Sequence, residues 1–187
     1  MEKIANCWQS LMLVVEKGTP AHSFELAFNL RQEDKYEVAI IGHDPLTALI
    51  TPFRYTRENV NTYTILDLQG NVKSMFGVVS QRNNPKHGSV WFLSSELTKQ
   101  EWKYFLKRNK TWTEYFLSDY EFVANIVPKW NKKTIRWLKW QGFSFKDKEL
   151  IVNGIEMLYF YRQIRSVSNE IQPVLGDIGP KWTTDLS

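Results

Sequence analysis

The chain has 187 residues, eight Trp, eight Tyr and eleven Phe, which suits one compact domain with a core and excludes a disordered segment. A net charge of +4 and a pI near 9.1 permit an acidic partner without demanding one. The lone cysteine, Cys7, excludes an internal disulfide and no apolar run approaches the ~20 residues of a membrane span, so a cytosolic protein without a signal peptide is expected.

Residues 3–17 place Ile4, Trp8, Leu11, Met12 and Val15 at helical spacing before Gly18 and Pro20, although Leu11 to Val15 also fits a strand. Phe24, Leu26, Phe28 and Leu30 alternate with more polar neighbours, which predicts a strand over 24–31. RQED opens a helix with Tyr36, Ala39 and Ile40 inward, ending at Gly42, and Asp44-Pro45 starts another that runs to about Ile50. Strands follow at 61–68, 72–80 and 88–93, separated by turns at Gln69-Gly70-Asn71 and Asn83-Asn84-Pro85. Thr98 to about Tyr120 is the longest helix, with Trp102, Phe105, Leu106, Trp112, Tyr115 and Phe116 on one wide face.

The rest of the chain is organised around 122–145. Phe122, Val123, Ile126 and Val127 make an apolar strand that ends at Pro128. Asn131 caps a helix that turns Ile135 and Leu138 inward, with Trp137 and Trp140 on a neighbouring inward face. Gly142 stands where a left-handed C-cap is needed, and Phe143 folds back on the last turn. Leu150 to Val152, the turn Asn153-Gly154 and Ile155 to Tyr161 form a hairpin. The order β, α, α, β, β, β, α, β, α, β, β predicts an α/β (α+β) fold with a mixed central sheet flanked by helices. Residues 1–25 form an N-terminal extension, 26–165 the domain and 166–187 a C-terminal tail.

The strand, cap, helix and "GF" pattern resembles the C-terminal half of the Gcn5-related N-acetyltransferase (GNAT) fold. More narrowly, LRQEDKYEVAIIGHDPLTAL, KSMFGVV, GSVWFL and NIVPKWNKKTIRWLKWQGF, in that order and spacing, resemble the internal virion protein A family of short-tailed phages. The resemblance covers roughly residues 28 to 162 and implies a GNAT-like domain encoded among phage structural genes. Its partners would be other phage virion proteins, and its place the host cytoplasm or the virion itself.

GNAT enzymes hold the CoA pyrophosphate with a (Q/R)-x-x-G-x-(G/A) loop at the start of the long helix, where small residues let backbone N–H groups face the phosphates. The matching segment here, SSELTKQEWKYF, has no glycine. Thr98 and Glu101 instead fit a capping box, and Glu96 and Glu101 bring negative charge that Lys99 and Lys103 only partly offset. The tyrosine that serves many GNAT enzymes as general acid, four residues before the glycine of "GF", is replaced by Leu138, which has no proton to give. Strand 89–93 supplies no acidic base, and Glu96 just beyond it reads as a solvated or capping group.

Lysines 99, 103, 107 and 110, with Lys132, Lys133, Arg136 and Lys139, sit among tryptophans, a pattern nucleic-acid surfaces also use. Glu101, Glu114 and Asp119 interrupt them, which argues for a solvated face and against a nucleic-acid partner. His22, His43 and His87 fall in predicted loops without metal-ligand spacing, so no metal site is expected. The sequence therefore predicts a non-catalytic, GNAT-fold phage protein acting in virion assembly or as an internal or tail component, with no catalytic residues and no cofactor. The alternative is an active acetyl-CoA-dependent N-acyltransferase that modifies a host or phage amine, with Lys99, Asn125 and Asn131 contacting the cofactor.

Overall fold

The structure, a computed structural model, describes residues 13–55, 61–81, 83–146 and 150–164. The chain divides into two compact units, Met1–Val79 with Trp91–Phe116, and Ser80–Val90 with Leu117–Ser187.

In the first unit, strand β1 (Val14–Lys17) is followed by helices α1 (Pro20–Asn29), α2 (Gln32–Ile40) and α3 (Pro45–Tyr55). Strand β2 (Asn61–Leu66), strand β3 (Val72–Gln81) as far as Val79, the last four residues of β4 (Asn84–Ser94) and all but the last residue of helix α4 (Lys99–Leu117) complete it. β1 pairs antiparallel with β2 from Val14↔Leu66 to Lys17↔Tyr63, and β2 with β3 from Asn61↔Val78 to Leu66↔Val72. Leu26, Leu30, Val38, Leu49, Val72, Met75 and Leu93 form its apolar core.

The second unit holds the last two residues of β3, the first seven of β4, β5 (Phe122–Pro128), helix α5 (Lys132–Trp140), β6 (Ser144–Phe145), β7 (Leu150–Val152) and β8 (Ile155–Gln163). β4 pairs parallel with β5 at His87↔Phe122, Gly88↔Val123 and Ser89↔Ala124. β5, β6 and β7 each pair antiparallel with β8. The sheet is therefore mixed, as the sequence predicts, and the fold is α/β.

The α5 segment forms as its residues require. Asn131 Oδ1 accepts from Thr134 N at 3.1 Å, Ile135 and Leu138 are buried, and Gly142 takes φ +83°, a conformation costly to any side chain. Phe143 N then donates to Leu138 O at 3.0 Å, which closes the helix end and buries the Phe143 ring.

Several expectations are corrected. Residues 24–31 are not a strand, because Pro20–Asn29 is a helix capped by Thr19. Thr19 Oγ1 accepts from His22 N and the His22 ring accepts from Thr19 N, with Pro20 at the first helical position. Ser23, Leu26 and Leu30 are the buried positions, a spacing of three and four, while Phe24 and Phe28 are exposed. His22 is therefore helical and His87 lies in β4 rather than in loops. Val14–Lys17 is a strand, the alternative reading of that stretch, rather than the end of a helix; residues 3–12 of the expected helix lie outside the described residues, as does the tail 166–187. Asn84 and Pro85 begin β4 instead of making a turn, and α3 runs on past Ile50 through Pro52.

On α2 the inward residues are Asp34, Val38 and Ile40, and Tyr36 is exposed. On α4 they are Phe105, Asn109, Thr113 and Leu117, while Leu106 and Tyr115 are exposed. Trp140 is half exposed because the buried stripe of α5 is only Ile135 and Leu138 wide.

Candidate functional site

The segment at the start of α4 is held by the protein's own groups, all in the first unit. Ser94 N donates to Asp34 Oδ2 at 2.7 Å, and Ser95 N and Oγ both donate to Lys73 O, at 2.8 and 2.9 Å. Three residues later the helix begins with the expected capping box. Thr98 N donates to Glu101 Oε2 at 2.7 Å, and Glu101 N donates to Thr98 Oγ1 at 3.2 Å. The second carboxylate oxygen of Glu101 meets Lys73 Nζ at 3.1 Å. The backbone N–H groups of Ser94, Ser95, Thr98 and Glu101 are thus already donated within the chain.

The electrostatics follow from these contacts. Burial works to raise the Glu101 pKa, but hydrogen bonds from Thr98 and the Lys73 ammonium outweigh it and hold the carboxyl below its ordinary range. Glu101 is therefore ionised at neutral pH, at the positive end of the α4 dipole. An arriving phosphate meets a resident anion there. Asp34, buried beneath the segment, is pushed up by burial, which the Arg31 guanidinium at 2.7 Å and Ser94 N offset only in part.

In the second unit Asn125 continues the pairing of β4 and β5 with its side chain. One residue past Ser89↔Ala124, Asn125 Nδ2 donates to Val90 O and Asn125 Oδ1 accepts from Ile126 N, both at 2.8 Å. One side chain satisfies a carbonyl and an N–H that lie on neighbouring strands. Leu138, four residues before Gly142, is buried at 4% exposure. On β8 the Tyr159 hydroxyl is buried, and burial first, then the Tyr161 charge, pushes it up to about 12. It is protonated at neutral pH and has no hydrogen-bond partner among the described residues.

The sequence-predicted site residues are distributed accordingly. Lys99, in the first unit, is exposed on the first turn of α4, and Glu96 is exposed ahead of it. Asn125 and Asn131, in the second unit, are occupied by backbone of their own unit. Lys73 and Asp34 escaped sequence reasoning, since both act across more than 25 residues of chain. The one available signal was the Arg31–Asp34 spacing of three at a helix start. Among the described residues no group of His, Cys, Asp or Glu is placed to hold a metal ion, and no helix is long and apolar enough to cross a membrane.

No protein-family model matches the sequence, and no curated protein does either. Solved structures do match the fold. A GNAT-family acetyltransferase from Streptococcus pneumoniae aligns with 82% of this chain and 100% of its own at 12% identity and a TM-score of 0.54. The ribosomal-protein-S5-alanine acetyltransferase of Vibrio fischeri aligns over 81% of this chain and 92% of its own, at 12% identity and a TM-score of 0.58. A spermidine/spermine N-acetyltransferase from Vibrio cholerae aligns over 83% and 95%, at 13% identity and a TM-score of 0.54. At such identities the likeness establishes the fold alone. This chain has a GNAT-like, acetyltransferase-type fold.

Proposed function

We propose that the chain is a non-catalytic member of this fold class, used as a binding scaffold. The observation that carries the reading is the start of α4, where Thr98, Glu101 and Lys73 occupy one another. Burial of Leu138 where a general acid is required supports it further. On this reading the two positions where such an enzyme needs a phosphate loop and a general acid are taken by a closed capping box and an apolar side chain.

The resemblance to the internal virion protein A family gives the scaffold its setting, which is assembly of a phage particle or residence within it, with other virion proteins as partners. The chain is made and held in the host cytoplasm until it joins the particle. The catalytic half of the proposal is tested by incubating the pure protein with acetyl-CoA and a panel of primary amines and following free thiol. No amine-dependent release is expected, and turnover above the amine-free rate overturns it. The virion half is tested by mass spectrometry of purified particles from a phage genome that carries the gene. The chain is expected in the particle or in an assembly intermediate, and particles formed normally after deletion of the gene contradict the role.

A further inference from the structure

A groove of about 310 Å³ opens in the first unit where the last turns of α4 overhang the β1–β2–β3 surface, lined by Val15, Glu16, Lys17, Tyr63, Phe76, Trp112 and Tyr115. Cross-strand register builds its floor. Lys17 stands opposite Tyr63 and Tyr63 opposite Phe76, so the three share one face of the sheet. The Tyr63 and Phe76 rings stack at 5.5 Å with 22° between their planes. The roof comes from Trp112 and Tyr115, three residues apart on α4, and Tyr115 is 74% exposed. Four aromatic rings converge on one space the size of a small-molecule site.

The sheet face that floors it is cationic. Lys17 Nζ donates to the Tyr63 hydroxyl at 3.2 Å and lies 4.4 Å from the centre of that ring. The Tyr63 face that a cationic ligand would use therefore already carries an ammonium. Alternation along β1 sends the Glu16 side chain to the opposite face, where its Oε1 lies 3.4 Å from His22 Nε2. Arg108, one turn before Trp112, adds a second cation on α4, stacked on Tyr104 at 4.9 Å. Glu114, beside Tyr115, is the acidic neighbour on that helix, but it does not line the groove.

We propose that this groove binds a small planar aromatic anion, its ring against Phe76, Trp112 and Tyr115 and its negative group on the Lys17 ammonium that lies over Tyr63. The volume fits one bicyclic ring system, which favours a free small molecule over a peptide segment. The site is independent of the α4 start and of whether the fold performs acyl transfer.

The test is a titration of the full chain, followed by calorimetry and by NMR shifts, with naphthalene-2-sulfonate and with its cationic counterpart naphthalen-2-ylmethylammonium. The sulfonate is expected to bind saturably at about millimolar affinity or tighter, and about tenfold better than the ammonium. Lys17→Gln should abolish that preference while leaving residual stacking. Tyr115→Ala, at a position too exposed to endanger the fold, should weaken both probes about fivefold. Equal binding of the two probes, a preference that survives Lys17→Gln, indifference to Tyr115→Ala, or no saturable binding each overturns the proposal.

Discussion

Lys73 Nζ lies 3.1 Å from one carboxylate oxygen of Glu101, while the other oxygen of Glu101 accepts Thr98 N at 2.7 Å. A strand residue and a helix-start residue thereby fasten β3 to α4. These contacts stabilise the start of the helix, so removing them should be felt in stability.

Thr98→Ala should destabilise the protein by about 1 kcal/mol, the usual loss for an N-cap. Glu101→Gln should cost a similar amount, through the weakened bond to Thr98 and the lost Lys73 pair. Because both changes strike one capping box, the double variant should cost less than the sum. Urea unfolding of the three variants measures this, and strict additivity would show that the two residues act separately.

The pH dependence has a defined sign. The folded Glu101 carboxyl titrates below its ordinary value of 4.5, so its contribution is present above that value and is lost as the pH falls through the lower folded value. The stability difference between the natural chain and Glu101→Gln should therefore shrink from about pH 6 to about pH 3. Asp34 runs the other way, since its folded value is raised and its ionisation costs stability as the pH rises. Asp34→Asn isolates that opposing slope, and unfolding curves across the same range separate the two.

Asn125→Ala strips partners from Val90 O and Ile126 N at once. The expected cost is about 1–3 kcal/mol, with faster hydrogen exchange at the Ile126 amide than at Ala124 within the ladder. Unchanged exchange at Ile126 would mean that water replaces the side chain without penalty.

Leu138→Ala should cost about 2–5 kcal/mol, as expected for a buried leucine, whereas Trp140→Ala on the same helix should stay within about 0.5 kcal/mol. Comparable losses at both positions would place Trp140 in the core and reverse the facing of α5.

The fold was legible where local rules agreed. Asn131, Ile135, Leu138 and Gly142 each state cap, face and stop, and α5 follows them residue by residue. α1 was misread because Phe24, Leu26, Phe28 and Leu30 satisfy a two-residue period by chance, while the true inward set includes the polar Ser23. Thr19-Pro20 ahead of that run was the contrary signal. On α4 the inward stripe contains Asn109 and Thr113, and hydropathy assigns such residues to solvent. The Thr98–Glu101 box was readable because both partners lie within one turn. Lys73, Asp34 and the bond from Asn125 to Val90 were not, because each depends on a register between segments distant in sequence.

The most direct test of the central claim is a calorimetric titration of the purified chain with acetyl-CoA at moderate ionic strength. A start of α4 filled by Thr98, Glu101 and Lys73 predicts no saturable heat even at high protein concentration. Micromolar binding would contradict the account, restore the acyltransferase reading and turn attention to Lys99 as the residue that receives the phosphates.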